Sequence, residues 1–260
     1  MVLHRRLFLV KNSSAEKPEP DARALEELKR NLSFVYPFRE AESLPSKVTA
    51  TGLKGRREAD EEAAELEPRR SRAFRLPDFA RADKAATGTE KGIATHLVLQ
   101  YMDFDKTDSL EEIRQEIERL RVRRFLSDRE AAAVDAQAIH TLFASPLGRR
   151  MRNAPALRRE FKFSLLCDAQ ILCGEAAGEE LLLQGVVDCF LEEADGLTVI
   201  DYKTDRLKNR AEALRRAEHY RPQIAAYASA LERICGKPVK ESVLYFLSVG
   251  EAVEIREKSE

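Results

Sequence analysis

Along this chain the clearest periodicity begins at Thr87. Apolar positions then recur with helical spacing through residues 88–102, 109–125 and 129–144, and polar turns at 103–108 and 127–128 separate the three predicted helices. "ALRREFKFSLL" at 156–166 changes to strand alternation, with Phe161, Phe163 and Leu165 on one face and Glu160 on the other. Two apolar runs follow in "LLLQGVVDCFLEEADGLTVIDYKTDR" at 181–206. They flank Glu193-Ala194-Asp195-Gly196, and Asp-Gly between β-rich segments signals a hairpin. Pro222 is placed to start a helix running to about Ile234, with Gly236 and Pro238 marking its end, and "SVLYFLSV" reads as a last buried strand. Upstream the pattern is weaker: a short strand at 1–10, a flexible linker at 11–20 and a helix at about 21–31 before "FVYPF". Residues 55–72 are almost wholly charged with Pro68 inside, so the stretch from about 55 to 75 is expected to be a mobile surface segment. The expected division is an extension and linker at 1–31 and one domain at 32–260. Helices, three strands, a helix and a strand describe an α/β protein with a mixed sheet flanked by helices, not a Rossmann or barrel order.

Three charged groups interrupt that pattern. Asp188, Asp201 and Lys203 lie inside strands otherwise built from Leu, Val and Ile. Asp201 and Lys203, two apart, project to one side. A turn centred on Ala194-Asp195 sets Asp188 opposite Asp201; one centred on Asp195-Gly196 sets it opposite Lys203. Either register puts all three on one face, within the ~4.5 to 8 Å of direct or diagonal cross-strand pairs. Two carboxylates brought together repel unless a cation relieves them. Magnesium or manganese prefers such oxygen donors, and an adjoining lysine can steady a developing anion. The plainer alternative is a salt-bridged sheet surface with Lys203 neutralising Asp201.

Composition narrows the class. An apolar fraction of 43% supports a substantial core, and no run approaches the ~20 residues needed to span a bilayer. "MVLHRRLFLVKNSS" lacks the features of a secretory signal, so a cytoplasmic location without membrane contact is expected. Cys167, Cys173, Cys189 and Cys235 show no Cys-x-x-Cys spacing, so neither a zinc ribbon nor a disulfide framework is indicated. A formal net charge of −1 is unlike that of a bulk nucleic-acid binder. Basic runs at 119–124, 148–152 and 206–221, the last containing Arg215 and Arg216, are solvated helix faces unless they border the hairpin, where they would form a phosphate track.

Further polar residues sit at helical spacing. His96, Leu99 and Gln100 in "GIATHLVLQYM" share a face with Gly92. His96 is a half-exposed helical histidine, or beside the hairpin a nitrogen ligand that would admit manganese as well as magnesium. Gln223 and Tyr227 in "RPQIAAYASALERI" share a face as a helix contact, or as an amide and a phenol aimed at nucleic-acid phosphate.

"GVVD", then "DYKT", then "QIAAY", preceded by a Gly-x-x-x-His helix, resembles the nuclease domain of the RecB family within the PD-(D/E)xK superfamily. "FVYPFREAESLPSKVTATGLK", "FASPLGRRM" and "REFKFS" narrow the resemblance, which runs from about Leu32 to Leu247, to the nuclease region of AddA-type helicase–nucleases. The resemblance implies a restriction-endonuclease-like core and a magnesium- or manganese-dependent DNA exonuclease. It implies metal ligands at His96, Asp188, Asp201 and the Tyr202 carbonyl, a catalytic Lys203, a DNA-side pair Gln223 and Tyr227, and a lesser acidic position at Glu160. The implied work is resection of DNA ends in double-strand break repair and recombination. The implied partners are DNA, the helicase portion of AddA and an AddB-like subunit. The chain departs from the family pattern at Gly52, Ile93 and Lys162, none of them a ligand position. It contains no Gly-x-x-x-x-Gly-Lys-Ser/Thr loop for an ATP-driven motor, and its cysteines do not flank the domain as iron–sulfur ligands would. The competing readings are a freestanding RecB-like or Cas4-like exonuclease and a catalytically silent DNA-binding or docking module.

Overall fold

The computed structural model describes residues 21–33, 44–54, 86–170 and 178–256. The expectations for 1–20, for "FVYPF" and for the charged segment at about 55 to 75 lie outside these residues. The chain divides into two units, Met1–Leu44 and Pro45–Glu260. In the first, α1 (Ala22–Leu32) is capped by the Asp21 side chain, which accepts from the Arg23 N–H, and it exposes Leu25, Leu28 and Leu32 along one stripe.

The second unit opens with a short strand β1 (Lys47–Thr49) and a 3-10 turn (Thr51–Lys54). Five helices follow: α2 (Gly88–Tyr101), α3 (Leu110–Val122), α4 (Asp128–Ala133), α5 (Ala136–Ala144) and α6 (Pro146–Asn153). Reciprocal capping boxes start α2 (Thr87, Glu90), α3 (Ser109, Glu112) and α4 (Ser127, Glu130). The single helix expected at 129–144 is two, because Asp135 takes extended backbone and its side chain accepts from Ala138 N–H to cap α5. The sequence did not announce α6; Pro146 at its first turn and Ser145 as its cap form it.

Then come β2 (Ala156–Asp168), β3 (Glu180–Glu193), β4 (Gly196–Lys203), helix α7 (Arg210–Cys235), β5 (Val239–Phe246) and β6 (Glu251–Glu254). Two expectations need correction here. Pro222 lies inside α7, which starts at Arg210 behind the cap Asn209. Ala213, Ala217 and Tyr220 before the proline and Ile224 and Tyr227 after it bury in one core, and this packing carries the helix through. The last strand is not β5, because a turn reverses the chain into β6.

β3 pairs β2 antiparallel along nearly its whole length. On its other edge it pairs β1 parallel at Leu182–Gln184 and β4 antiparallel at Cys189–Glu193. Between them, Gly185 to Asp188 have no ladder partner on that edge, so the sheet has an opening there. β4 pairs β5 in parallel, and β6 closes the order β1-β3-β4-β5-β6. α7 covers one face, over Leu183, Val187, Val199, Leu244 and Phe246. Helices α2, α3, α5 and α6 cover the other, over Cys189, Leu191, Ile200, Tyr202 and Tyr245. Burying each such side chain contributes about 1.5–3 kcal/mol relative to exposure.

The two faces exchange at the opening. Val187 packs toward α7 while Cys189, two residues on, packs on the opposite side. Across from this point Glu160 of β2 has φ 50, in the left-handed region that favours glycine, and the Glu160–Asp188 pair drops out of a ladder whose register is the same on both sides. Both strands therefore twist over through one residue each, with none inserted. A non-glycine residue held there costs on the order of 1 kcal/mol or more, and such strain gathers at functional sites.

Candidate metal centre in the sheet opening

The hairpin takes the register centred on Ala194-Asp195, with Glu193 paired to Gly196 and Cys189 to Ile200. Where β3 and β4 part, the Asp188 carboxylate replaces the backbone partner: its Oδ2 accepts from Tyr202 N–H at 2.8 Å. Lys203 C=O accepts from Leu247 N–H on the β5 side. Backbone groups alternate edges along a strand, so the Tyr202 carbonyl, like its N–H, faces the opening. The Tyr202 side chain turns away into the core beside Cys189, where burial raises its phenol far above the ordinary range.

α2 brings His96 to the same opening, with Nδ1 3.5 Å from Asp188 Oδ2. Its placement is built from both ends. Arg159 donates to the carbonyls of Leu99 and Met102 at 3.2 and 2.7 Å, and Arg129 ties Glu90 at 2.7 Å. Gly92 permits the closest approach, since a Cβ there would lie 3.0 Å from Thr204 Oγ1. A glycine inside a helix costs about 1 kcal/mol against alanine, which this approach explains. Leu99, expected on the His96 face, is instead buried in the core at 2% exposure, and the pocket face of α2 runs Gly92, His96, Gln100.

His96, Glu160 and Asp188 each offer a ligand atom within 4.8 Å of the others, the one such group among the described residues. The Glu160 carboxyl is pushed up to about 7, first by burial and then by the Asp188 carboxylate, with Asp201 adding and His96 and Lys162 opposing. A desolvated carboxylate beside another carboxylate gains from a hard divalent cation, and the imidazole completes a donor set that magnesium or manganese accepts. The residues therefore fit the ion.

Asp201 and Lys203 pair with each other beside this trio. Asp188, Asp201 and Lys203 all line one cavity, where Asp188 also meets His96 and Lys203 meets Gln223 of α7. Lys203 Nζ is 2.7 Å from Asp201 Oδ2 and donates to Gln223 Oε1 at 3.4 Å, with both charged groups about 1% exposed. Gln223 Nε2 in turn donates to the Tyr227 hydroxyl at 2.7 Å and to Thr51 Oγ1 at 3.5 Å. Burial, then Asp201 and Asp188, raise the Tyr227 phenol well above its usual value, so it stays a neutral hydrogen-bonding group.

One cavity of about 410 Å³ joins these pieces, lined by Glu160, Asp188, Asp201, Lys203, Gln223 and Tyr227 together with the pocket face of α2. α2 and α7 cover opposite faces of the sheet, so both reach one cavity only because the sheet is open there. Arg215 and Arg216 do not line it. Arg215 is exposed on α7, and Arg216 donates to Asp205 at 2.8 Å. Sequence reasoning missed Thr51 and Thr204, which also line the cavity.

The sequence pattern of the PD-(D/E)XK nuclease superfamily matches residues 68–259. The chain is 38% identical over 236 residues to an ATP-dependent helicase/nuclease subunit of Thermoanaerobacter sp. (strain X514), covering 88% of this chain and 19% of that protein. It is 38% identical over 244 residues to the like-named protein of Acetivibrio thermocellus, covering 89% and 19%. With that of Clostridium botulinum (strain Loch Maree / Type A3) it shares 34% identity over 235 residues, covering 88% and 18%. The chain thus spans about a fifth of the length of these relatives. No helix among the described residues is long and apolar enough to cross a membrane.

Proposed function

Because the chain belongs to the PD-(D/E)XK nuclease superfamily, we propose that it hydrolyses the phosphodiester bonds of DNA, as an exonuclease, with magnesium or manganese held in the sheet opening. Asp188, Asp201, His96 and the Tyr202 carbonyl would hold the ion, with Glu160 joining them. When bound, the cation supplies Lewis-acid polarisation of a phosphoryl oxygen and makes water more acidic. Lys203 sets a fixed positive charge beside the same pocket, where negative charge on phosphoryl oxygens grows in the transition state and an immobile cation helps most. Gln223 accepts from the ammonium through its Oε1 and donates to the Tyr227 hydroxyl through its Nε2, and the pair would orient one strand past the site. The observation that carries this reading is the meeting of His96, Glu160 and Asp188 within 4.8 Å, in one cavity with the buried Asp201–Lys203 pair.

The setting we propose is the nuclease portion of an AddA-type helicase–nuclease, resecting DNA ends in double-strand break repair and recombination in the cytoplasm. Its partners would be a helicase portion and a protein of the AddB type. The similarity to proteins named as ATP-dependent helicase/nuclease subunits supports this setting. Incubating the purified chain with end-labelled single- and double-stranded DNA, with magnesium, with manganese and with chelator, tests the activity. Metal-dependent shortening is expected, and intact DNA under every condition would refute it.

A further inference from the structure

Lys203 is a long, flexible side chain buried to about 1% exposure, so where its charge sits is set by the groups packed around it. Asp201 and Gln223 hold it from two directions. A third contact is of another kind: Nζ stands 4.3 Å from the centroid of the Tyr220 ring. A ring attracts the whole charge through its quadrupole and needs no particular N–H, leaving donor directions for oxygens in the pocket. Asp201, if it also serves a cation, has less charge to offer the ammonium, whereas the ring's attraction is not shared.

We infer that Tyr220 is a positioning residue, its ring face holding the Lys203 ammonium at the pocket, and that Asp205 and Arg216 act through it by fixing the ring. The inference rests on the nuclease reading for what Lys203 does. The ring is pinned from outside the catalytic group. Its hydroxyl lies 3.0 Å from each Asp205 carboxylate oxygen, and a phenol donating to a carboxylate is a charge-assisted bond that also enriches the ring face in electrons. Arg216 Nε holds the same carboxylate at 2.8 Å, with its guanidinium 5.3 Å from the ring centroid. Asp205 is anchored by its backbone too: its carbonyl accepts from Ser248 Oγ at 2.6 Å, and Leu207 N–H donates to that Oγ at 3.2 Å. The segment leaving β4 is thereby tied to the turn between β5 and β6. Arg216 thus works as a support for the catalytic lysine rather than as a phosphate contact.

The test keeps ring volume nearly constant while draining the ring's quadrupole. Tyr220→Phe and its analogues with one, two and three ring fluorines are compared in the full chain with magnesium and labelled DNA, with Tyr220→Leu as the endpoint. The expected kcat falls stepwise with fluorine count, roughly 10- to 30-fold across the series, while KM holds. In the metal-free, DNA-free chain the Lys203 ε-methylene protons should show an upfield ring-current shift that is smaller in Tyr220→Phe, where the bond to Asp205 is lost, and absent in Tyr220→Leu. Rates indifferent to fluorination in folded variants would overturn the inference. Should the native chain cleave nothing, the nuclease reading fails on its own, and the ring-current shift then decides: its presence keeps Tyr220 as the group holding Lys203, and its absence removes it.

Discussion

Asp201 and Lys203 form an ion pair that is almost wholly buried at the edge of the cavity, so neither can be removed quietly. Breaking a buried ion pair from one side leaves an uncompensated charge and typically costs about 3–5 kcal/mol. Asp201→Asn should lower unfolding stability by that order and weaken manganese binding in calorimetry; unchanged binding would remove Asp201 from the ligand set. Glu160 yields a pH prediction. Its folded-state pKa of about 7 stands above the ordinary 4.5, so the metal-free native state binds the proton more tightly than the unfolded chain. The contribution of Glu160 to stability is then fullest below about 4.5 and is lost as pH rises toward 7. In chelator, the melting temperature should fall across that window and Glu160→Gln should flatten the fall, whereas parallel native and variant curves would contradict it. The positions of Asp188, Asp201 and Lys203 were legible because charges stand out inside apolar strands. Glu160 was reached only through the family resemblance, as a lesser acidic position, because it reads as one member of a charged alternation and nothing in the letters marks a left-handed backbone. Tyr220 and Asp205 were hidden for another reason: their meaning comes from a contact between the end of β4 and the middle of α7.

The local geometry of the elements makes a second set of demands. In β3, a Cβ on Gly185 would lie 2.6 Å from the Phe163 ring and 3.1 Å from Tyr227. Gly185→Ala should therefore displace the Phe163 ring and crowd Tyr227. Denaturant unfolding should show a loss of about 1–3 kcal/mol, as overpacking usually gives, and a second change, Phe163→Leu, should recover part of it. No loss in the single variant would mean that the rings give way freely. The hairpin itself was legible from Asp195-Gly196, yet its register stayed open between two turns until the pairing of Glu193 with Gly196 chose one. The start of α7 was misread because a proline usually begins a helix; packing on both sides of Pro222 outweighs that preference. The twist at Glu160 and Asp188 needs two strands to turn together, which neither strand's sequence announces alone.

At the scale of the whole molecule, function depends on the sheet being open, for there the two helical layers meet one cavity. The near-zero net charge means that any DNA affinity must come from local cations. Arg215, exposed on α7, is one such cation, while Arg216 is bound to Asp205. Arg215→Ala should reduce the slope of log affinity against log salt by about 1, and Arg216→Ala should change it less. An unaltered slope in Arg215→Ala would return that part of α7 to an ordinary solvated face. The most direct measurement is the cleavage rate of labelled DNA by the native chain and by Lys203→Ala, under the same magnesium or manganese and beside the DNA affinity of each. Loss of one electrostatic group acting in the transition state should slow cleavage on the order of 100-fold. Affinity should change only a few-fold, since other cations meet the backbone. Equal cleavage rates for the two proteins would contradict a catalytic Lys203.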